Sequence, residues 1–198
     1  DALLIASGRQ PATASLHPEN AGIAVNERGA IVVDKRLHTT ADNIWAMGDV
    51  TGGLQFTYIS LDDYRIVRDE LLGEGKRSTD DRKNVPYSVF MTPPLSRVGM
   101  TEEQARESGA DIQVVTLPVA AIPRARVMND TRGVLKAIVD NKTQRMLGAS
   151  LLCVDSHEMI NIVKMVMDAG LPYSILRDQI FTHPSMSESL NDLFSLVK

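Results

Sequence analysis

Near the carboxyl end of this 198-residue chain stands Thr182-His-Pro-Ser-Met-Ser-Glu188. Histidine is the one side chain whose unperturbed charge change falls near neutral pH, so His183 suits proton transfer to and from a thiol or thiolate. A carboxylate such as Glu188, close by in sequence, can orient the ring and stabilise its cationic form. The same residues also admit plainer readings. Ser185-x-x-Glu188 is a capping box, in which Glu188 simply closes a helix start, and a histidine before proline is an ordinary polar residue at a turn. A second candidate is Asn43-Ile-Trp-Ala-Met-Gly-Asp49. A hydrophobic strand ending in Gly-Asp sets a carboxylate at the carboxyl end of a strand, where α/β folds bind ligands. Gly48 lets the backbone come close, and Asp49 can accept hydrogen bonds from the hydroxyls of a sugar or sugar alcohol. A helix starting near Tyr58 would aim its positive N-terminus at the same crevice. Read alone, the motif is equally a strand-to-turn junction.

Other reactive side chains point to less. His17, His38, His157 and His183 have no metal-ligand spacing to one another or to Cys153, so no metal site is expected. Cys153 ends an apolar run and reads as a small buried hydrophobe. The nine methionines, several of them between Ser156 and Asp168, read as core or interface filling. Glu158 needs no role beyond a surface charge.

Several elements must position these groups. Asp1 to Gly8 reads as a buried strand and its turn, and Ile31–Asp34 and Asn43–Met47 as two short strands. Tyr58 to Leu72 has helical spacing, with Ile59, Asp62/Asp63, Ile66/Val67 and Glu70/Leu71 recurring every three or four residues, and Gly73 and Gly75 end it. The charged stretch Lys76–Asn84 contains no apolar residue and marks a domain boundary. Beyond it, Val85–Met91, Ile112–Pro118, Val134–Asp140 and Arg145–Cys153 read as strands, the last two joined by a hairpin turn at Asn141–Gln144. Thr101-Glu-Glu-Gln104 is a capping box opening a helix that Gly109 ends. Ser156–Asp168 carries the clearest apolar stripe, stopped by Gly170 and Pro172, and Ser174–Ile180 and Ser185–Leu196 are shorter helical segments. Strands followed by helices predict an α+β second domain with an antiparallel sheet.

Composition excludes some classes. A net charge of −4 without a basic run supplies no field for nucleic acid, and no apolar run reaches the ~20 residues of a membrane span. One cysteine allows no intrachain disulfide, so a reduced, cytoplasmic setting is the default. The chain opens in mid-strand at Asp1-Ala-Leu-Leu-Ile-Ala, without an initiator Met or a charged leader, as a fragment of a longer protein would.

Leu3-Leu-Ile-Ala-Ser-Gly-Arg-Gln-Pro11 and, downstream, Thr39-Thr-Ala-Asp-Asn-Ile-Trp-Ala-Met-Gly-Asp-Val50 together resemble the flavin domain of pyridine nucleotide–disulfide oxidoreductases. Glutathione reductase, dihydrolipoamide dehydrogenase and mercuric reductase belong to that family. Ser7 stands where Thr is usual, and Tyr58-Ile-Ser60 where small apolar residues are commoner. Val85-Pro-Tyr-Ser-Val-Phe-Met-Thr-Pro-Pro94 and Arg97-Val-Gly-Met-Thr-Glu-Glu-Gln-Ala105 resemble the opening of the family's interface domain, with Pro94 where Glu is usual. The resemblance implies that residues 1–80 close a Rossmann-like FAD domain of α/β type, residues 1–9 crossing over from the nicotinamide domain. It implies that residues 84–198 form the α+β dimerisation domain with its antiparallel sheet.

The resemblance also assigns roles. It makes Asp49, after Gly48, the ligand of the FAD ribityl chain, and sets Gln55, Phe56, Thr57 and Tyr58 under the pyrimidine edge of the flavin. His183 becomes the acid/base that faces a redox disulfide of the partner subunit, with Glu188 as its carboxylate. The implied cofactors are FAD and NAD(P)H, and the implied assembly is a homodimer with a small-molecule or metal-ion substrate and neither nucleic acid nor membrane as partner. Within the family the chain most resembles the bacterial reactive-chlorine-resistance branch, which implies oxidant defence and reduction of a metal ion, a reactive oxidant or an oxidised sulfur species. The FAD fingerprint, the cysteine pair and the nicotinamide loop of the family lie outside these residues. The chain alone is therefore expected to have little or no reductase activity and to bind FAD weakly or not at all. A non-catalytic dimerisation module is the competing expectation.

Overall fold

The computed structural model describes residues 1–198 and divides them into two compact units, Asp1–Arg82 and Lys83–Lys198. In the first, the regular element is α1 (Thr57–Leu72), and short 3-10 turns cover Ala14–Leu16, Pro18–Ala21, Gly48–Thr51 and Thr79–Asp81. The inward stripe of α1 is Ile59, Asp63 and Ile66, spaced as one helix face requires. At its C-terminus the Asp69 carboxylate accepts the backbone N–H groups of Glu74, Lys76 and Arg77 at 2.8–3.3 Å, turning the chain away.

Three strands expected in this unit do not form. Asp1–Gly8 forms no strand pairing, with Leu3, Leu4 and Ile5 between 76% and 87% exposed. The segments around Ile31 and Trp45 make one antiparallel bridge each, Val25↔Ile31 and His38↔Trp45. Apolar, β-branched residues favour an extended backbone, but a strand exists only where a neighbour completes its ladder, and these segments find none within the unit.

The second unit is α+β. Its five-stranded sheet runs in the order β1-β2-β5-β4-β3, antiparallel throughout, from β1 (Tyr87–Val89), β2 (Leu95–Gly99), β3 (Ile112–Pro118), β4 (Val134–Asp140) and β5 (Met146–Leu152). The register aligns two rows of side chains across four strands: Val98, Ala149, Ala137 and Val115, and beside them Ser96, Leu151, Leu135 and Leu117. All eight are buried. The hairpin at Asn141–Gln144 is held by Asp140, whose carboxylate accepts the N–H groups of Lys142 and Thr143 at 2.7 and 2.8 Å. Those hydrogen bonds favour the ionised form and hold the Asp140 carboxyl below the usual range.

Helices α2 (Glu102–Glu107), α3 (Pro123–Val127), α4 (Ser156–Asp168), α5 (Ser174–Arg177) and α6 (Ser189–Phe194) complete the unit. Thr101 and Gln104 form the capping box of α2 in both directions, at 3.1 and 2.8 Å. Helix α4 packs on β2 and β5, and α6 on β3 and β4. Their apolar stripes, Met159, Ile160 and Val163 from α4 and Leu190, Leu193 and Phe194 from α6, are at most 2% exposed. Each such side chain contributes roughly 1.5–3 kcal/mol of transfer free energy. The final helices are shorter than their periodicity predicts: Ser174–Ile180 is helical over α5 alone, and Ser185–Leu196 over α6. Strand β2 and helix α3 carry no comparable sequence pattern. Cys153 is fully buried, its thiol 3.8 Å from Met159 Sδ. Burial, and then the nearby Asp155 charge, push that thiol up to about 12.

Candidate functional site

In the first unit, Met47 is extended and Gly48 turns the chain at φ 78°, a left-handed conformation suited to glycine. A Cβ at Gly48 would lie 3.0 Å from Ser60 Oγ on α1, so the turn and the helix approach closely. The 3-10 turn is closed by Thr51 Oγ1, which donates to Gly48 O at 2.9 Å, and by Gly52 N–H, which donates to Asp49 O at 3.0 Å. Gly48 is buried and Asp49 exposed, so the turn presents the Asp49 carboxylate to solvent on a fixed backbone.

The candidate residues that follow form the entry to α1. Phe56 is the N-cap of α1, and its carbonyl accepts the Ile59 and Ser60 N–H groups at 2.9 and 3.1 Å. The Phe56 and Tyr58 rings stack 5.1 Å apart and 9° from parallel. Burial raises the Tyr58 phenol above its ordinary value. Thr57 is exposed and Gln55 half-buried, the latter lining an open cleft of about 650 Å³ together with Gly8, Arg9, Gln10 and Gly52. Gln55 is thereby brought beside the Ser-Gly-Arg-Gln-Pro segment although these segments lie far apart in the chain.

Two residues that sequence reasoning passed over hold this turn. Asp63, 2% exposed, accepts the Gly48 N–H through Oδ2 at 2.7 Å, and its Oδ1 is ion-paired to Arg82. Arg82 Nε donates to Asp62 Oδ2 at 2.8 Å, and Arg77 reaches the other Asp62 oxygen at 3.1 Å. Burial disfavours the Arg82 charge, but hydrogen bonds to Asp62 and Asp63 outweigh it and raise the guanidinium above its ordinary range. The signal was present: Asp63 is an acid in the middle of an apolar helical stripe.

In the second unit, His183 Nδ1 lies 2.9 Å from both carboxylate oxygens of Glu188. The acceptor-only carboxylate makes Nδ1 the protonated nitrogen and leaves Nε2 outward, on a side chain that is 68% exposed. The capping box predicted at Ser185 is only half formed. Ser185 Oγ accepts the Glu188 N–H at 3.2 Å, but the Glu188 carboxylate turns to the histidine instead of returning to Ser185. The helix that follows begins at Ser189.

The loop carrying this pair is tied down on both sides. Met186 is 3% exposed and Leu190 fully buried. Asn191 Nδ2 lies 2.7–3.0 Å from the carbonyl oxygens of Leu176, Arg177 and Gln179, closing the end of α5 and fixing the approach to His183. Asn191 is the other group that sequence reasoning missed, since an asparagine within a short helix carries no signature. Nowhere in the chain do three or more His, Cys, Asp or Glu side chains cluster closely enough to hold a metal ion. No helix is long and apolar enough to cross a membrane.

Comparison with known proteins bears on both units. The profile of the pyridine nucleotide-disulphide oxidoreductase dimerisation domain matches residues 85–194, and that of pyridine nucleotide-disulphide oxidoreductases matches residues 1–63. Among curated proteins, the mercuric reductase of Staphylococcus aureus is 36% identical over 190 residues, which are 96% of this chain and 35% of that protein. The mercuric reductase of Bacillus cereus is also 36% identical, over 95% of this chain and 30% of its own length. Among solved structures, a Cu(II) complex of the HOCl-induced flavoprotein disulfide reductase RclA from Escherichia coli superposes with a TM-score of 0.99 at 99% identity, over all of this chain and 46% of that one. LpdA from Mycobacterium tuberculosis shares the fold at a TM-score of 0.88 and 24% identity, over 98% of this chain and 42% of its own. The chain spans about a third of the curated relatives' length and less than half of these solved chains.

Proposed function

The chain belongs to the pyridine nucleotide-disulphide oxidoreductases, and on that premise we propose that it is the closing part of an FAD-dependent NAD(P)H oxidoreductase. In this reading, electrons leave through a redox disulfide to an oxidised sulfur species, a metal ion or a reactive oxidant. Residues 1–80 supply part of the FAD site, and residues 84–198 the dimerisation domain of a cytoplasmic homodimer.

The residues present fit the flavin. Asp49 offers an exposed carboxylate on a rigid turn, suited to the ribityl hydroxyls, and Gly48 lets that turn pack closely on Ser60 of α1. Gln55, Phe56, Thr57 and Tyr58 stand at the start of a 16-residue helix, whose positive end suits a carbonyl-bearing ring edge. When bound, FAD supplies the passage of electrons from the nicotinamide to the disulfide. The chain's own contribution to chemistry is the proton. His183 Nε2 accepts a proton from a thiol and returns it, while Glu188 holds Nδ1–H in place and balances the ring's charge when it is doubly protonated.

The observation that carries this reading is the hydrogen bond from His183 Nδ1 to both Glu188 oxygens at 2.9 Å, made at the expense of a completed capping box. For the substrate, the relatives' names supply the support: mercuric reductases reduce a metal ion, and the RclA structure is that of an HOCl-induced disulfide reductase. The test is purification of the full-length protein carrying this chain. The expected result is one FAD per chain, oxidation of NAD(P)H coupled to disulfide, metal-ion or oxidant reduction, and a dimeric mass by light scattering. A flavin-free dimer without NAD(P)H oxidation would favour the non-catalytic dimerisation reading instead.

A further inference from the structure

We infer that Asp63 is a positioning residue for the flavin site: its buried carboxylate, clamped by Arg82, fixes the Gly48–Asp49 turn from beneath. The inference rests on the reading of Asp49 as the ribityl ligand and extends it to two residues that touch no part of the flavin in that reading.

Three observations carry it. First, Asp63 occupies the centre of the inward stripe of α1, between Ile59 and Ile66, where an apolar side chain would satisfy packing without a desolvated charge. Replacing a buried ion pair by apolar residues of similar volume is often neutral or stabilising, so helix packing does not explain the acid. Second, one oxygen of that acid goes to a backbone N–H far away in sequence, that of Gly48, at 2.7 Å. Gly48 is the residue whose left-handed φ aims Asp49, and Ser60 fills the space directly under it. A charge-assisted hydrogen bond is short and directional, which fixes a peptide plane as apolar contact does not. Third, the other oxygen is held by Arg82, whose Nε also binds Asp62. The carboxylate therefore has a counter-charge and cannot swing away from Gly48. The chain of force runs from Arg82 through Asp63 and the Gly48 amide to Asp49.

The test uses the full-length flavoprotein carrying this chain, stripped of FAD. FAD affinity is read by flavin fluorescence on reconstitution of wild type, Asp49→Ala, Asp63→Asn and the double variant, and urea unfolding of each apoprotein gives its stability separately. Asp63→Asn leaves an acceptor for the Gly48 N–H but loses the charge that assists that bond and pairs with Arg82, so FAD binding is expected to weaken about tenfold. Because Asp63 acts through Asp49, the double variant should bind FAD no more weakly than Asp49→Ala alone. Unchanged FAD affinity in Asp63→Asn, with lowered apoprotein stability alone, would show a purely structural role and overturn the inference. Losses that add fully in the double variant would overturn it too. If Asp49→Ala itself leaves FAD affinity unchanged, the ribityl reading is what has failed, and the inference goes with it. Should Asp63→Asn not fold, Arg82→Lys keeps a positive charge near Asp63 but cannot bridge both aspartates. A roughly 2–10-fold loss of FAD affinity is then expected, the size of one net hydrogen bond, and no loss would overturn the inference.

Discussion

Substituting His183 and Glu188 in the full-length protein that carries this chain should separate the proposed proton transfer from folding. The His183 side chain is 68% exposed and that of Glu188 32%, so their ion pair lies largely in high dielectric. Pairs of that kind contribute only about 0.2–1 kcal/mol to stability. Neither His183→Ala nor Glu188→Gln should therefore lower the unfolding free energy by more than about 1 kcal/mol. Turnover should respond on another scale. A positioned acid/base contributes roughly 100- to 10,000-fold, or about 3–5 kcal/mol of barrier, and in the proposed role His183→Ala would remove it entirely. Glu188→Gln leaves an acceptor for Nδ1–H and removes only the charge-assisted share of that bond, so a loss near tenfold is expected. The assay is steady-state NAD(P)H oxidation with a disulfide substrate across pH 6–8, beside urea unfolding of the same preparations. Wild-type turnover by His183→Ala at every pH in that range would refute the acid/base role. So would a rate loss matched by an equal loss of folded protein.

Four further outcomes follow from the second unit. Phe194→Ala should destabilise it by about 3–5 kcal/mol in urea unfolding, because Phe194 is fully buried against Tyr173, their ring centroids 6.0 Å apart; a change below 1 kcal/mol would mean that the core closes without it. Cys153 should resist iodoacetamide at pH 8 in the native protein, as mass spectrometry would show, because burial pushes its thiol up to about 12 and the thiolate is the reactive form. Glu102 is held below the ordinary glutamate range first by its hydrogen bond to Lys136 on β4 and then by Arg106. Its contribution is thus complete at neutral pH and lost as acid takes the pH from about 4.5 downward through the lowered folded value, so Glu102→Gln should flatten that limb of the stability curve. Gly148→Ala should prevent normal pairing of β5 with β2, because its Cβ would collide with the Met100 backbone; native-like circular dichroism and stability would contradict that.

Much of the second unit could be read from local pattern because local pattern and tertiary need agree there. Helix α4 occupies Ser156–Asp168, the span that its apolar stripe and the following Gly170 and Pro172 delimit. Strands β3 and β4 match their β-branched runs, and the Thr101 capping box forms with both of its hydrogen bonds. Strand β2 escaped notice because in Leu-Ser-Arg-Val-Gly the buried face pairs polar Ser96 with Val98, so no apolar alternation marks it. Its Ser96 is fully buried and bonded to Ser88 and Ser156 at 2.8 and 2.9 Å, while Arg97 reaches Ser150 at 3.1 Å and Tyr87 at 3.2 Å. Ser156 and Ser150 are more than fifty residues away in sequence, so no window centred on the strand contains them. The opposite error at Asp1–Gly8 has the same root: a hydrophobic run proposes a strand, but only lateral neighbours make one.

Departures from local rules are where function is expected to sit, yet departure alone does not identify it. Ser96 breaks the apolar row of its sheet, and its hydroxyl closes on those of Ser156 in the core and of half-buried Ser88, so the ladder does not end at an exposed titratable group. Asp63 breaks the apolar stripe of α1 and is likewise closed, but its chain of bonds leads to a turn whose next side chain, Asp49, is exposed. Glu188 breaks the capping box that its own spacing with Ser185 would complete, and the bond it makes instead ends at an exposed imidazole with one nitrogen held and the other outward. What distinguishes these two from the serine ladder is an open end: a network that consumes local stability and finishes at a solvent-facing titratable or hydrogen-bonding group. By that criterion Asp49 and His183, which residue type and spacing and then a resemblance had singled out, are also the points at which the fold's own irregularities converge.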